Sequence, residues 1–257
     1  MTAQIADPYD ILARFYDLET AEFDADIDLY RAFATRANGP ILELGVGTGR
    51  VALALAAERH DVTGIDASEA MLSIARRRAG EQSLAVALQQ MDMRDFALDR
   101  QFDLIFCALG SFRHLLDTED QIAALTCARR HLSRNGLLVL HVPAWHALSW
   151  DTGPAPLLFD WTREDPDTGS KVTKFNVLRA DPARQLQFLT SIFDVQDSLG
   201  FVQRTSIEVP LYTFTRSEME LLMERAGLRV THWYGSFELE VYGPDSQEMI
   251  AVAEIEG

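Results

Sequence analysis

Ile41-Leu42-Glu43-Leu44-Gly45-Val46-Gly47-Thr48-Gly49-Arg50 decides the fold of this chain. An apolar run enters a loop with glycine at every second position, and an alanine-rich helical run follows at once. Glycine permits the backbone angles of so tight a turn, and its missing side chain lets a ligand lie on the main chain. A second apolar run, Val62-Thr63-Gly64-Ile65, ends in Asp66, at the spacing where α/β folds place a carboxylate on a ribose. Two kinds of cofactor site share this outline. A dinucleotide site wants G-x-G-x-x-G, with a helix N-terminus aimed at a pyrophosphate. Here the third glycine comes one residue early, and Glu43 before the loop would repel a diphosphate. A ligand with an ammonium group and no phosphate suits it better. A glycine-rich turn that binds nothing is the third reading.

Strands and helices alternate outward from the loop. Strands at 40–45 and 61–65 flank a helix at 49–58. Ser68 opens a helix at 68–79 that closes before Gly80, and strands follow near 84–90 and at 102–108. Thr118 with Gln121 reads as a capping box for a helix to about 132, and Asn135-Gly136 as the turn into the strand Leu137–Val142. Continuous apolar strands between helices mean a parallel sheet covered on both faces. Residues 1–38 read as helical, with Phe23, Ile27, Tyr30 and Ala34 at helical spacing and Asn38-Gly39-Pro40 as the stop. The rhythm breaks over 144–214, which prolines punctuate. Three segments there, near 170–178, 185–196 and 201–214, are rich in β-branched and aromatic residues and read as an antiparallel insertion after the fifth strand. Thr215 and Glu218 form another capping box, and two strands near 228–234 and 247–255 finish the chain.

The glycine string resembles the E-x-G-x-G-x-G motif of the class I S-adenosylmethionine-dependent methyltransferases, and the likeness covers nearly the whole chain. The expected architecture is α/β: a Rossmann-like, mostly parallel seven-stranded sheet with helices on both faces, plus the antiparallel β insertion. It divides into a helical lid at 1–38, a cofactor-binding core at 39–143 and 215–257, and the insertion at 144–214, serving an acceptor pocket or a dimer contact. The resemblance implies S-adenosylmethionine as cofactor, which carries an ammonium, a sulfonium and no phosphate. In open α/β sheets ligands lie at the carboxyl ends of the strands, near the point where strand order reverses. The first strand then supplies Glu43 and Gly45, Gly47 and Gly49, and the second supplies Asp66 and Ala67. The third supplies Asp92 to accept from the adenine amino group and Met93 to pack on its ring, although an aspartate there also suits a turn. Met71 is placed to cover the other adenine face or to fill the core, and Leu109 and Gly110 to bring backbone near the cofactor.

Catalysis is expected in Ser111-Phe112-Arg113-His114-Leu115-Leu116-Asp117, the loop after the fourth strand. A histidine has a pKa suited to taking a proton near neutrality, and the reaction needs an acceptor aligned with the methyl group. The segment resembles the S-x-x-H-L of a bacterial branch that includes aminosugar N,N-dimethyltransferases and relatives of glycine N-methyltransferase, where it lines the acceptor pocket. His114 is therefore the candidate base or acceptor-orienting group, with helix capping or packing on Phe112 as the alternative. Tyr9, Arg14 and Tyr16 resemble the family's N-terminal lid. Tyr16 would hydrogen-bond the cofactor carboxylate or the acceptor, and Arg14 would pair with that carboxylate; packing is the alternative.

Composition narrows the partners. The 257 residues carry 39 acidic and 23 basic side chains, a formal charge of −16. Nucleic acid and anionic membranes are bound through Lys and Arg, so neither is expected as partner. The two cysteines, Cys107 and Cys127, read as buried thiols, and no signal or membrane segment is expected, which fits a cytoplasmic protein. His141 and His146 straddle Pro143 and are not spaced as a helical metal pair, so no metal is expected. Trp145, Trp150, Trp161, Tyr212, Trp233 and Tyr234 either line an acceptor pocket or fill a sheet core. The sequence after the fourth strand has neither the Asn/Asp-Pro-Pro-Tyr of amide and base methylation nor the Asp of metal-dependent catechol enzymes. The expected function is in-line methyl transfer to a nitrogen or oxygen of a small molecule, with a lean to amines. A silent cofactor-binding sensor and a nicotinamide-dependent oxidoreductase are the competing readings. Exposed edges of the insertion offer a homodimer as one candidate assembly, and the oligomeric state stays open.

Overall fold

Val and Leu side chains facing both ways along a strand need cover on both sides, and the chain supplies it. The computed structural model describes residues 8–37 and 39–256, so residues 1–7 and Asn38 of the expected helical segment lie outside the described residues. A seven-stranded sheet runs in the order β10-β11-β5-β4-β1-β2-β3. Its strands are β1 (Ile41–Leu44), β2 (Val62–Asp66), β3 (Ala87–Gln90), β4 (Phe102–Cys107), β5 (Leu132–Pro143), β10 (Leu228–Tyr234) and β11 (Glu248–Ile255). β11 alone runs antiparallel to its neighbours; β1 pairs in parallel with both β2 and β4, and order reverses there. Helices α2 (Ile27–Ala37), α3 (Arg50–Ala57), α4 (Glu69–Glu81), α5 (Thr118–His131) and α6 (Arg216–Arg225) cover it. Leu29, Tyr30, Phe33 and Ala34 of α2 join one core cluster with Val51, Leu55 and Phe106, and α5 and α6 pack into another.

The insertion is a separate four-stranded antiparallel sheet in the order β6-β7-β8-β9, with β6 (Leu158–Glu164), β7 (Lys171–Asp181), β8 (Leu186–Gln196) and β9 (Val202–Tyr212). β6 goes beyond the three expected strands. It is an edge strand between prolines whose side chains are mostly exposed, so it lacks the alternation that marks a half-buried strand. Helix α1 (Pro8–Thr20) sets its apolar face on this sheet and its polar face against α4 and the glycine loop of the core. Phe15, 2% exposed, stacks on Phe193 at 4.2 Å, among Val172, Ile207 and Val209. Lys174 of β7 pairs with Glu19, and Arg163 of β6 donates to the carbonyls of Leu18 and Glu19 at the helix C-terminus, the end that favours cations. The described part of the segment, residues 8–37, is therefore two helices whose apolar faces join different clusters, with Phe23 in the turn between them rather than on a shared helical face.

Other boundaries moved for identifiable reasons. The N-cap of α5 is Asp117, whose carboxylate accepts from the Asp120 N–H at 3.0 Å; Thr118 is already helical, and Gln121 donates instead to the buried carbonyl of Leu115. α4 runs through Gly80 to Glu81, and Ser83 in a left-handed conformation (φ 55°) makes the stop. Asn135-Gly136 makes no turn into a new strand. β5 is continuous from Leu132, and its register on β4 jumps from Phe102–Leu132 to Leu104–Leu137, so the turn residues take up an irregularity inside the strand. The capping box of α6 is present, Thr215 Oγ1 accepting from Glu218 N–H and Glu218 Oε2 from Thr215 N–H. Thr215→Ala is expected to cost about 1 kcal/mol, lowering the melting temperature by roughly 2–4 °C in a calorimetric scan; an unchanged scan would show the cap to be energetically silent.

Candidate active site

Gly45 and Gly47 sit in left-handed backbone (φ 70° and 54°), and the loop folds back so that the N–H groups of Gly45 and Val46 both donate to the Ile65 carbonyl. This brings the β1 loop against the end of β2. Asp66 then fastens the corner: Oδ2 accepts from Gly47 N–H at 2.8 Å and Oδ1 from Ser68 N–H at 2.9 Å. Ser68 caps α4 and donates to Asp10 of α1, tying that helix to the same corner. A cavity of about 260 Å³ opens above this corner.

Of the candidate residues, Tyr9, Tyr16, Gly45, Gly47, Asp66, Ala67, Met71, Asp92, Met93 and His114 line the cavity. Side chains from the ends of β2 and β3 line it. Tyr9 and Tyr16 of α1 and Ser111 and His114 of the turn after β4 also contribute to its wall. Gly110 opens that turn in left-handed backbone, but neither Leu109 nor Gly110 lines the cavity; a Cβ on Gly110 would meet Arg113 and Pro143. Gly49 is a packing glycine, whose Cβ would press on Leu53 and Ala75. Arg14 faces away, into a separate groove with Asp17, Arg77 and Asp167, and its guanidinium lies over the Phe15 ring.

Glu43 departs most from expectation. It is 3% exposed, does not line the cavity, and accepts a hydrogen bond from the Ala52 backbone in the first turn of α3. Gly49, the N-cap of α3, has no side chain to cap with, so Glu43 satisfies an orphan N–H of that helix from beneath the loop. Burial pushes its carboxyl well above the usual carboxylate range. The acid in the motif thus braces the loop from inside and stands outside the cavity lining.

His114 is the other correction. Burial, and then the neighbouring Arg113 charge, push its imidazole down to about 4 rather than leaving it poised near neutrality. It meets Tyr9, whose Oη lies 2.6 Å from His114 Nε2 and 3.0 Å from Nδ1, a contact between residues 105 apart in sequence. Burial pushes Tyr16 up to about 12, so its hydroxyl keeps its proton. Asp92 is held below the ordinary aspartate range by the Arg94 guanidinium, which also bonds Asp120 at 2.6 Å. Arg94 and Asp120 line the cavity, as do Ile65, Met91 and Leu115; Asp120 carries no sequence signal, since it becomes a wall residue only through the placement of α5. The tryptophans and Tyr212, Trp233 and Tyr234 do not line it. Trp145 stacks on Trp150, Trp161 lies near Phe193, and the Tyr212 hydroxyl bonds Glu218. His141 is paired with Glu248, and among the described residues no group of three or more His, Cys, Asp or Glu is suited to a metal. No described helix is long and apolar enough to cross a membrane.

A family model described as a methyltransferase domain matches residues 41–136. The chain is 30% identical to a Streptomyces venezuelae protein named dTDP-3-amino-3,4,6-trideoxy-alpha-D-glucopyranose N,N-dimethyltransferase, over 90% of this chain and 92% of the relative. Its fold matches the CcbJ methyltransferase of Streptomyces caelestis with a TM-score of 0.79 at 25% identity, covering 97% of this chain and 98% of that one. A S-adenosylmethionine-dependent methyltransferase from Clostridium acetobutylicum matches with a TM-score of 0.80 at 21% identity, covering 98% and 100%. The chain belongs to the S-adenosylmethionine-dependent methyltransferases, and its cofactor is S-adenosylmethionine. Neither the nicotinamide-dependent nor the catalytically silent reading has support in these likenesses.

The cavity's chemistry fits that cofactor. A Cβ on Gly47 would project toward the Tyr16 ring at 3.8 Å, into the lane between the loop and α1. Met71 and Met93 offer apolar walls, and the one lining cation, Arg94, is already tied to two carboxylates. A diphosphate would find no free cation along this lining.

Proposed function

We propose that this enzyme methylates the amine of a small molecule, with an aminosugar as the substrate class. The observation that carries this reading is the Tyr9–His114 hydrogen bond in the cavity wall. Asp66 would take the ribose hydroxyls, Met71 and Met93 would enclose the adenine, Asp92 would accept from its amino group, and Ala67 and Gly45 would supply backbone walls. S-adenosylmethionine supplies the electrophilic methyl carbon on its sulfonium. A neutral His114 accepts the Tyr9 hydroxyl proton as a hydrogen bond, and the phenol's lone pairs are then free to accept an N–H of the acceptor. That aims the nitrogen lone pair along the line of transfer. Tyr16, protonated throughout, closes the lane above the glycine loop. Helix α1 and the inserted sheet form the cap over this site, on the core of 39–143 and 215–256.

An amine nucleophile favours this arrangement over a hydroxyl. A hydroxyl must lose its proton during attack, which calls for a base with a pKa near neutrality, and burial has taken that property from His114. The named activity of the Streptomyces venezuelae relative points the same way. The test is turnover on a panel of amines, nucleotide-linked amino sugars and their hydroxyl counterparts; methylation confined to the hydroxyl compounds would overturn the reading. His114→Ala is expected to lower kcat/KM about tenfold, the loss of one hydrogen bond of about 1.4 kcal/mol, with S-adenosylmethionine affinity nearly unchanged. The sign of the pH effect is fixed by a lowered pKa: His114 stays neutral above about 4. The rate should therefore show no inflection from this residue between pH 6 and 8, and an inflection there that vanishes in His114→Ala would restore it as general base.

A further inference from the structure

The turn Ser111–His114 carries a second ionisable side chain that the reaction above does not use. Arg113 is 8% exposed, and no carboxylate is among its hydrogen-bond or charge partners in the described residues. Buried charges are ordinarily paired, because desolvation penalises an uncompensated ion. Neutral acceptors hold this one. Nε donates to the Tyr212 carbonyl at 2.9 Å, and Nη2 donates to Gln187 Oε1 at 2.8 Å and to Thr213 Oγ1 at 3.4 Å. Gln187, 2% exposed, passes the contact on by donating to the Ser149 carbonyl at 3.0 Å. Every one of these partners belongs to the inserted segment or its immediate exit, whereas Arg113 belongs to the core.

We propose that Arg113 is a positioning residue for methyl transfer, locking the turn that carries His114 to the inserted sheet so that the Tyr9–His114 pair meets the acceptor in one orientation. The proposal rests on the reading of His114 as an acceptor-side group. The guanidinium is a planar fork with fixed donor directions, so bonds to three acceptors define the attitude of the turn in a way that a point charge cannot. A methionine would fill the same space without burying a charge, and packing alone therefore gives no reason for an arginine here. The charge has a second use. Tyr9 can donate only to an unprotonated ring nitrogen, and a cation one residue away opposes protonation of His114, adding to burial. The remaining charged groups around that cavity are Asp66, Asp92, Arg94 and Asp120, with Tyr9 in contact from α1.

The experiment compares Arg113→Met, Arg113→Lys and His114→Ala in the full chain. The His114 midpoint is followed by NMR of its ring protons, S-adenosylmethionine affinity by calorimetry, and kcat/KM with a thymidine diphosphate 3-amino sugar. In Arg113→Met the midpoint is expected to rise by half a unit or more, kcat/KM to fall at least tenfold, and cofactor affinity to stay within threefold. Arg113→Lys keeps the charge but not the fork, so it should hold the low midpoint and recover little of the rate. An Arg113→Met enzyme that melts earlier, yet matches the parent in His114 midpoint and in kcat/KM well below its melting temperature, makes Arg113 a packing residue and overturns the proposal. If His114→Ala is slow while Arg113→Met is as fast as the parent, the proposal alone falls. If His114→Ala is itself as fast as the parent, the acceptor-side reading falls and takes the proposal with it. The titration needs no acceptor, so an unmoved midpoint counts against Arg113 even where the chosen sugar is not turned over.

Discussion

Asp66→Ala is expected to weaken S-adenosylmethionine binding by about 100-fold, the largest effect of any single change at the cofactor end. One carboxylate does two things there. On the reading proposed above it accepts from the ribose hydroxyls, and it also fixes the loop by accepting from the Gly47 and Ser68 N–H groups. Hydrogen bonds to a charged acceptor contribute about 1.5–3 kcal/mol each. Losing the equivalent of one to two of them, at about 1.4 kcal/mol per decade, gives roughly two orders of magnitude. Asp66→Asn sharpens the test, because an amide keeps the shape but presents a donor to a site already walled by backbone donors. Its loss should approach that of alanine. Calorimetric titration with S-adenosylmethionine and its demethylated product, beside a thermal scan to show that the variants fold, measures this. An affinity within threefold of the parent for both variants would remove Asp66 from the cofactor site.

Most of the core could be read because its signals are local. Gly45, Gly47 and the apolar strand before them specify a turn whatever surrounds them, and the continuous strands specify a covered parallel sheet. Asp66, Met71, Asp92, Met93, Tyr9, Tyr16 and His114 do meet around one cavity, since the carboxyl ends of neighbouring parallel strands must lie side by side. What failed to show was set by three-dimensional surroundings. The side on which Glu43 lies follows from strand pleat and from the missing cap at Gly49, and its motif position alone cannot give it. Arg14 and Tyr16 differ by half a helical turn, and only the docking of α1 on the inserted sheet decides which of them faces the cavity. The low pKa of His114 depends on burial and on the Arg113 charge, and the sequence holds no record of burial. The turn-forming Asn135-Gly136 pair was legible as a break in regularity but not as an irregularity within a strand.

Arg50→Met is expected to cost about 3–5 kcal/mol of stability, the usual loss when one partner of a buried ion pair is removed. Asp26, wholly buried, accepts from Arg50 Nη1 and Nη2 at 2.6 Å each, and Arg50 is itself mostly enclosed. The guanidinium also lies over the Phe23 ring and reaches the Phe23 carbonyl, so it closes the turn between α1 and α2 against the start of α3. Beside it lie Glu43 and Tyr30, both pushed well above their ordinary pKa by burial, and Glu43 Oε2, Tyr30 Oη and Arg50 Nε find no partner among the described residues. Without the arginine, Asp26 is left as an uncompensated charge in a region that already stints its polar groups. A chain of this size loses about 2–4 °C per kcal/mol, so the melting temperature should drop by roughly 10 °C. Asp26→Asn combined with Arg50→Met should regain part of that loss, because no buried charge then remains unpaired. Arg50 does not line the cofactor cavity, so cofactor affinity measured well below the melting point should change only a few-fold. A single variant that melts within 2 °C of the parent would show that Asp26 is solvated in solution, and that the pair does not hold the loop's exit in place.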